Sequence, residues 1–215
     1  MPPFMSQQFK REEHVYKNDH FAEVLKDAVR FFHGTPVHAL PPPEPFSGAG
    51  VYAIYCIARE GIYRKFGDVV NREEYAIPIY VGKAVPTGWR QSRNTDTQIG
   101  ERVLFSRLRQ HSASIMAASN LQPADFVCRF VIFEGVASEM IAAVEAALIK
   151  KHNPLWNSVI DGFGNHDPGG RRTTGKIPQW DVLHPGRAWA SRMTGEKPSL
   201  ASLRRRVADY MVGLR

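Results

Sequence analysis

Apolar residues at helical spacing open the chain. Phe21, Val24, Leu25, Ala28, Phe31 and Phe32 share one face, which predicts an amphipathic helix over residues 21–32. Leu40-Pro41-Pro42-Pro43-Glu44-Pro45 then breaks regular structure and reads as a stiff linker, with the core starting just after it. Residues 51–57 (VYAIYCI) are dense in β-branched and aromatic side chains and predict a strand. A charged stretch, 59–74, separates it from a second strand predicted over 77–81 and ending at Gly82; Pro78 favours an edge strand or a strand start. Helical periodicity returns over 99–111. Phe126–Phe133 (FVCRFVIF) predicts a third strand, and 138–151 a helix stopped by Asn153-Pro154. Residues 161–175 are Gly-rich, polar and basic, and a last helix is predicted over 200–211.

The order strand, strand, helix, strand, helix implies an α+β fold, with a small mixed or antiparallel three-stranded sheet flanked by helices. The expected organisation is an N-terminal helical arm and linker (1–46), a core (47–160) carrying an insertion at 59–76, and a C-terminal extension (161–215).

Composition narrows the setting. No apolar run approaches the ~20 residues of a membrane span, and the first residues lack the charged-then-apolar order of a secretory signal. A cytoplasmic protein is expected. Cys56 and Cys128 both lie in strand-like runs, so buried free thiols are expected rather than a disulfide framework or a zinc site. The formal charge of +7 and a pI near 9.6 point to a polyanionic partner.

The candidate chemistry begins on the third predicted element of the core, the helix over 99–111. At ~100° per residue, Val103, Leu104 and Leu108 define one helix face, and Arg107 and His111 fall on it one turn apart. Arg102 and Arg109 point the other way. An arginine on a core-facing stripe loses hydration and needs a partner, either a phosphate or a carboxylate such as Glu145 in a structural salt bridge. Glu145 sits at the edge of the apolar face of Met140, Ile141, Val144 and Leu148, and is the only carboxylate on that inner side. Magnesium prefers oxygen ligands and keeps most of its waters, so one or two carboxylates suffice. Asn157 would fix a loop or touch a phosphate. Lys83 would contact a phosphate or stay solvated.

Gly50-Val51-Tyr52 opens the first strand and Tyr80-Val81-Gly82 closes the second. With Arg107 and His111 on a helix, Glu145 on a later helix and Asn157 in HNPLWN, the chain resembles the GIY-YIG nucleases over residues 48–160. Gly61-Ile62-Tyr63 spells the family tripeptide literally, but AREGIYRKFGD is charged and lacks a strand's alternation, so it is rejected.

The resemblance implies hydrolysis of a phosphodiester with Mg²⁺, Mn²⁺ substituting, and Glu145 as metal ligand. It makes Tyr52, Tyr80, Arg107, His111, Glu145 and Asn157 the catalytic set. Tyr52 would help deprotonate the attacking water, Tyr80 would orient it, and Arg107 would stabilise phosphate charge. His111 is the competing base, because its reference pKa of about 6.5 suits that task. Short arms around the core resemble the type II restriction members, most closely those cutting CCGCGG. That implies double-stranded DNA with a GC-rich palindrome, a two-fold homodimer, and 5′-phosphate and 3′-hydroxyl ends. Candidate DNA contacts are Lys83, Arg64, Lys65, Arg90, Arg93, Arg171, Arg172 and Lys176, arginine being the usual bidentate reader of guanine. Two alternatives stand beside this reading. His152-Asn153 and Asn165-His166-Asp167 look like fragments of an HNH nuclease, and the chain is also compatible with a catalytically inactive sequence-specific DNA-binding protein.

Overall fold

A computed structural model describes residues 9–71, 74–87, 101–169 and 173–214. The elements are α1 (Asp19–Gly34), β1 (Val37–Ala39), β2 (Ala49–Cys56), β3 (Tyr80–Ala84), α2 (Val103–Ala117), β4 (Phe126–Phe133), α3 (Ile141–His152), the single turn α4 (Leu155–Ser158), α5 (Gln179–Leu183) and α6 (Leu200–Gly213). The fold is α+β. Its sheet is antiparallel with order β1-β4-β2-β3.

Among the described residues the sheet has four strands rather than the three expected. The added strand, Val37–Ala39, pairs with Arg129, Cys128 and Val127 of β4. It lies before the proline-rich segment, so the sheet begins upstream of the predicted core. The second strand also starts later than expected, at Tyr80, and runs through Ala84. It occupies a sheet edge, with Pro78 just outside it.

Both faces of β2 are covered, which explains why VYAIYCI shows no polar alternation. Tyr52, Ile54 and Cys56 enter a core shared with Leu104, Leu108, Trp156, Trp180 and Leu203. Val51, Ala53 and Tyr55 enter a second core with Phe32, Val144 and Leu148. The C-terminal extension therefore shares the first core through α5 and α6. Helix α1 closes the second with Leu25, Ala28, Val29 and Phe32.

The described part of the inserted stretch is folded. Gly61–Tyr63 forms a 3₁₀ turn and Phe66–Val70 a π-helical turn. Tyr63, the tyrosine of the literal tripeptide, is buried in that turn and not on a strand. Buried Asn71 ties the insertion's end to the sheet, donating to the carbonyls of Cys56 and Ile77 and accepting from the Ile77 amide. Cys56 and Cys128 are free and buried. Among the described residues no helix is long and apolar enough to cross a membrane.

Candidate active site

The register of β2 against β3 sets Tyr52 opposite Gly82 and Gly50 opposite Ala84. Both motif glycines are there for close approach. A Cβ at Gly82 would stand 2.5 Å from the Tyr52 hydroxyl, and one at Gly50 only 1.9 Å from the Val131 carbonyl oxygen. Tyr52 and Tyr80 lie on the α2 side of the sheet, their rings 6.2 Å apart.

Helix α2 crosses that face. Leu104 and Leu108 anchor it at zero exposure, and the same stripe carries partly buried Arg107 and buried His111. His111 Nε2 lies 2.5 Å from the Tyr52 hydroxyl. Burial, then the charges of Arg107, His166 and Arg187, push the His111 pKa well below 6.5. Burial and the neighbouring Tyr80 push Tyr52 well above 10, while Arg107 pulls it back. The pair is therefore a neutral imidazole accepting at Nε2 from a protonated phenol.

The Arg107 guanidinium rests on neutral acceptors. It donates to Gln110 Oε1 (3.0 Å), to the Gly164 carbonyl (2.7 Å) and to His166 Nε2 (2.7 Å). Burial, with Arg107 and Arg187 adding to it, lowers the His166 pKa and keeps that ring an acceptor. No carboxylate neutralises Arg107 among the contacts of the described residues, so its charge is available to a phosphate. The alternative salt bridge with Glu145 does not form. Glu145 pairs with Lys83, both part-buried. Lys83 follows Val81 by two residues and shares its α3 side of the sheet. The site thus straddles the sheet edge, with the tyrosines and Arg107 on one face and the Lys83–Glu145 pair on the other. Glu145 is still close enough for its charge to raise both phenols.

Asn157 grips the outer edge of β3. Its Oδ1 accepts from the Val81 amide and its Nδ2 donates to the Val81 carbonyl, both at 2.8 Å. Of the two roles considered for it, this geometry is the structural one. Asn157 fixes the strand that carries Tyr80 and Lys83.

A cleft of about 590 Å³ opens beside these groups, lined by Lys83, Glu101, Arg102, Ser106, Arg107 and His166 among others. Arg102, expected to face away, lies on its wall. It is the residue capping the start of α2, where backbone geometry departs from helical phase. Arg109 does point outward, over the Phe105 ring at 6.0 Å.

The remaining candidate DNA contacts lie elsewhere. Lys65 donates to the Met211 carbonyl at the end of α6. Arg64 lines a separate groove against α6, and exposed Lys176 pairs with Glu196. Arg90, Arg93, Arg171 and Arg172 lie outside the described residues. Sequence reasoning missed His166 as a partner of Arg107, and missed buried Arg187. His166 is 59 residues from Arg107, in a loop without periodicity, so no local signal links them.

The donor set suits a hydrated divalent cation. Glu145 offers a hard carboxylate next to Lys83, which lines the cleft, while among the described residues no three His, Cys, Asp or Glu side chains gather as a closed cage. His152 packs on His33 (Nε2 to Nε2, 3.3 Å) at the ends of α3 and α1, while His166 stands on Arg107. The fragments of an HNH motif are thus engaged separately.

No curated protein matches the chain. The family model of the Eco29kI GIY-YIG domain matches residues 44–211, extending past the core expected from the motifs and into α6. Paired strands bearing the two tripeptides, a helix bearing Arg107 and His111, and a match over most of the sequence together place the chain in the GIY-YIG nucleases, as a member of the Eco29kI GIY-YIG domain family.

Proposed function

We propose that the protein is a type II site-specific endonuclease. It hydrolyses phosphodiester bonds of double-stranded DNA in the cytoplasm, leaving 5′-phosphate and 3′-hydroxyl ends. It acts as a two-fold homodimer on a GC-rich palindrome, for which CCGCGG is the site the resemblance implies. The observation that carries the hydrolytic reading is the Tyr52–His111 pair lying beside an arginine whose partners are all neutral.

In this reading Arg107 stays on Gly164 and His166 and exchanges exposed Gln110 for an oxygen of the scissile phosphate. Its planar fork then stabilises the charge that grows there. Tyr52 has no solvent exposure. Its hydroxyl meets the attacking water as DNA enters the cleft. Tyr52 takes a proton from that water as the phenolate, its own proton having left to solvent, and His111 Nε2 holds the phenol in place. The His111 nitrogen already faces the phenol, so it acts through Tyr52 and not on water directly. Tyr80 orients the water, and Asn157 holds its strand. Mg²⁺, or Mn²⁺ in its place, would be held by Glu145 and supplies Lewis-acid stabilisation of the phosphate and the leaving 3′ oxygen when bound.

Digestion of supercoiled plasmid with Mg²⁺, with the ends sequenced, tests this. Fragments sharing one palindromic sequence, and none in EDTA, are expected. Intact plasmid with Mg²⁺ or Mn²⁺ would instead favour the DNA-binding alternative, and ends at unrelated sequences would remove site specificity.

The pH profile tests the base. Low His111 pKa keeps the ring neutral down past pH 6.5, so any acid limb lies below that value. The raised Tyr52 pKa means the phenolate fraction, and the rate, keep climbing into alkaline conditions. Tyr52→Phe removes only a hydroxyl and is expected to lose about 10²-fold in single-turnover rate, together with the alkaline slope. Near-normal cleavage by Tyr52→Phe would hand the base role to His111.

A further inference from the structure

Arg187 lies in the C-terminal extension and is 5% exposed. Its guanidinium sits between the rings of Trp180 and Trp189, at 4.7 and 4.6 Å. Every N–H it carries is placed. Nε and one Nη2 proton grip the two oxygens of buried Asp181, at 2.7 and 2.5 Å. The other three donate to carbonyls of one loop: Gly162 (2.9 Å), Phe163 (3.0 Å) and Asn165 (3.2 Å). An arginine offers five donors in a fixed fork, and all five are used here.

The carbonyl left out of that grip is Gly164, and it turns the other way, to Arg107 Nη2 at 2.7 Å. His166, the next residue but one, takes Arg107 Nη1. The same loop lies on the rest of the site. Phe163 stacks on the His111 ring at 4.6 Å and 21°. A Cβ at Gly164 would come within 2.5 Å of the Tyr80 hydroxyl. Two arginines thus hold opposite sides of residues 162–166, one buried and saturated, the other open to the cleft.

We infer that Arg187 is a positioning residue for Arg107: it fixes the 162–166 loop whose Gly164 carbonyl and His166 ring aim the Arg107 guanidinium at the scissile phosphate. This rests on the role given to Arg107 above. The C-terminal extension then completes the catalytic site in addition to any DNA contact it makes. Lysine cannot replace Arg187, because a point charge with three donors cannot serve a bidentate carboxylate and three carbonyls together.

Removing Arg187 alone would strand the Asp181 charge in the interior, so the test removes both charges with Asp181→Asn and Arg187→Met. The double variant is expected to fold, melting somewhat below the parent because three loop carbonyls lose their donor, and to shift plasmid-derived DNA in a gel as the parent does. Its single-turnover cleavage of supercoiled plasmid with Mg²⁺ is expected to fall between about 10- and 10²-fold, the cost of misplacing a catalytic group by ~1 Å. Added to Arg107→Ala, the same pair of changes is expected to cost almost nothing more, because the two sites act as one unit. If the double variant does not fold, Arg187→Lys, which keeps a charge against Asp181, carries the same comparison. Full cleavage by a folded variant, or a loss that simply adds to that of Arg107→Ala, overturns the inference. Parental cleavage by Arg107→Ala itself would overturn the role of Arg107, and the inference with it. Loss in Arg107→Ala without loss in the Arg187 variants overturns the inference alone.

Discussion

A Glu145→Gln protein is expected to fold, to bind DNA at least as tightly as the parent, and to leave plasmid uncut. The change conserves volume and removes one negative charge. In the parent that charge is paired with Lys83, whose side chain is 29% exposed, and the Glu145 side chain is 16% exposed. Losing the pair leaves Lys83 at the cleft margin, where water and a phosphate can reach it, so little stability is lost. The freed ammonium adds attraction for the DNA backbone, and binding tightens most at low salt. Cleavage needs the carboxylate itself if Glu145 holds the cation. Lewis-acid stabilisation contributes several kcal/mol to the transition state, so a loss of at least about 10³-fold is expected. Single-turnover digestion and a gel-shift titration of the same preparation measure the two effects separately. Equal loss of cutting and binding would make Glu145 a structural anchor for Lys83 and nothing more.

Arg107→Ala is expected to reduce single-turnover cleavage by up to about 10³-fold, and Arg107→Lys by at least about 10²-fold, the range seen when one donor to a developing oxyanion is removed. Lysine keeps the charge but cannot reach Gly164 and His166 together with a planar fork. Most of the loss should therefore appear in the rate and little in DNA affinity. Arg109→Ala is the matched control. It removes an equal charge from the same helix, on the outward side over Phe105, and should weaken binding only mildly. Arg102 is not a control, because it lines the cleft and its loss would lower affinity. If Arg109→Ala slowed cleavage as much as Arg107→Lys, the inward-facing arginine would not be the catalytic one.

Local pattern was enough to specify much of this protein. The strand Phe126–Phe133 begins and ends where β-branched and aromatic residues do. The 100° spacing on α2 put Arg107 and His111 on the buried stripe, because a helix fixes which residues share a face whatever it packs against. The charged context of Gly61-Ile62-Tyr63 ruled out a strand there, and those residues form a 3₁₀ turn. Other features had no local signature. Three residues, Val37–Ala39, are too few to show an alternation, and they became a strand because β4 offered a free edge. The start of β3 at Tyr80 is set by pairing with Ile54, not by the apolar residues before it. Nothing in either segment distinguishes Glu145 pairing with Lys83 from Glu145 pairing with Arg107. That choice follows from which face of the sheet each side chain occupies once β3 lies beside α3. Arg187 and His166 were the furthest from view. They meet the site from loops whose residues carry no period, and Arg187 was legible only as one more basic residue in a basic chain. Sequence periodicity encodes which side of an element is buried. Which distant charge or carbonyl meets a buried group depends on how the elements pack in space, and here that packing decided how Arg107 is held.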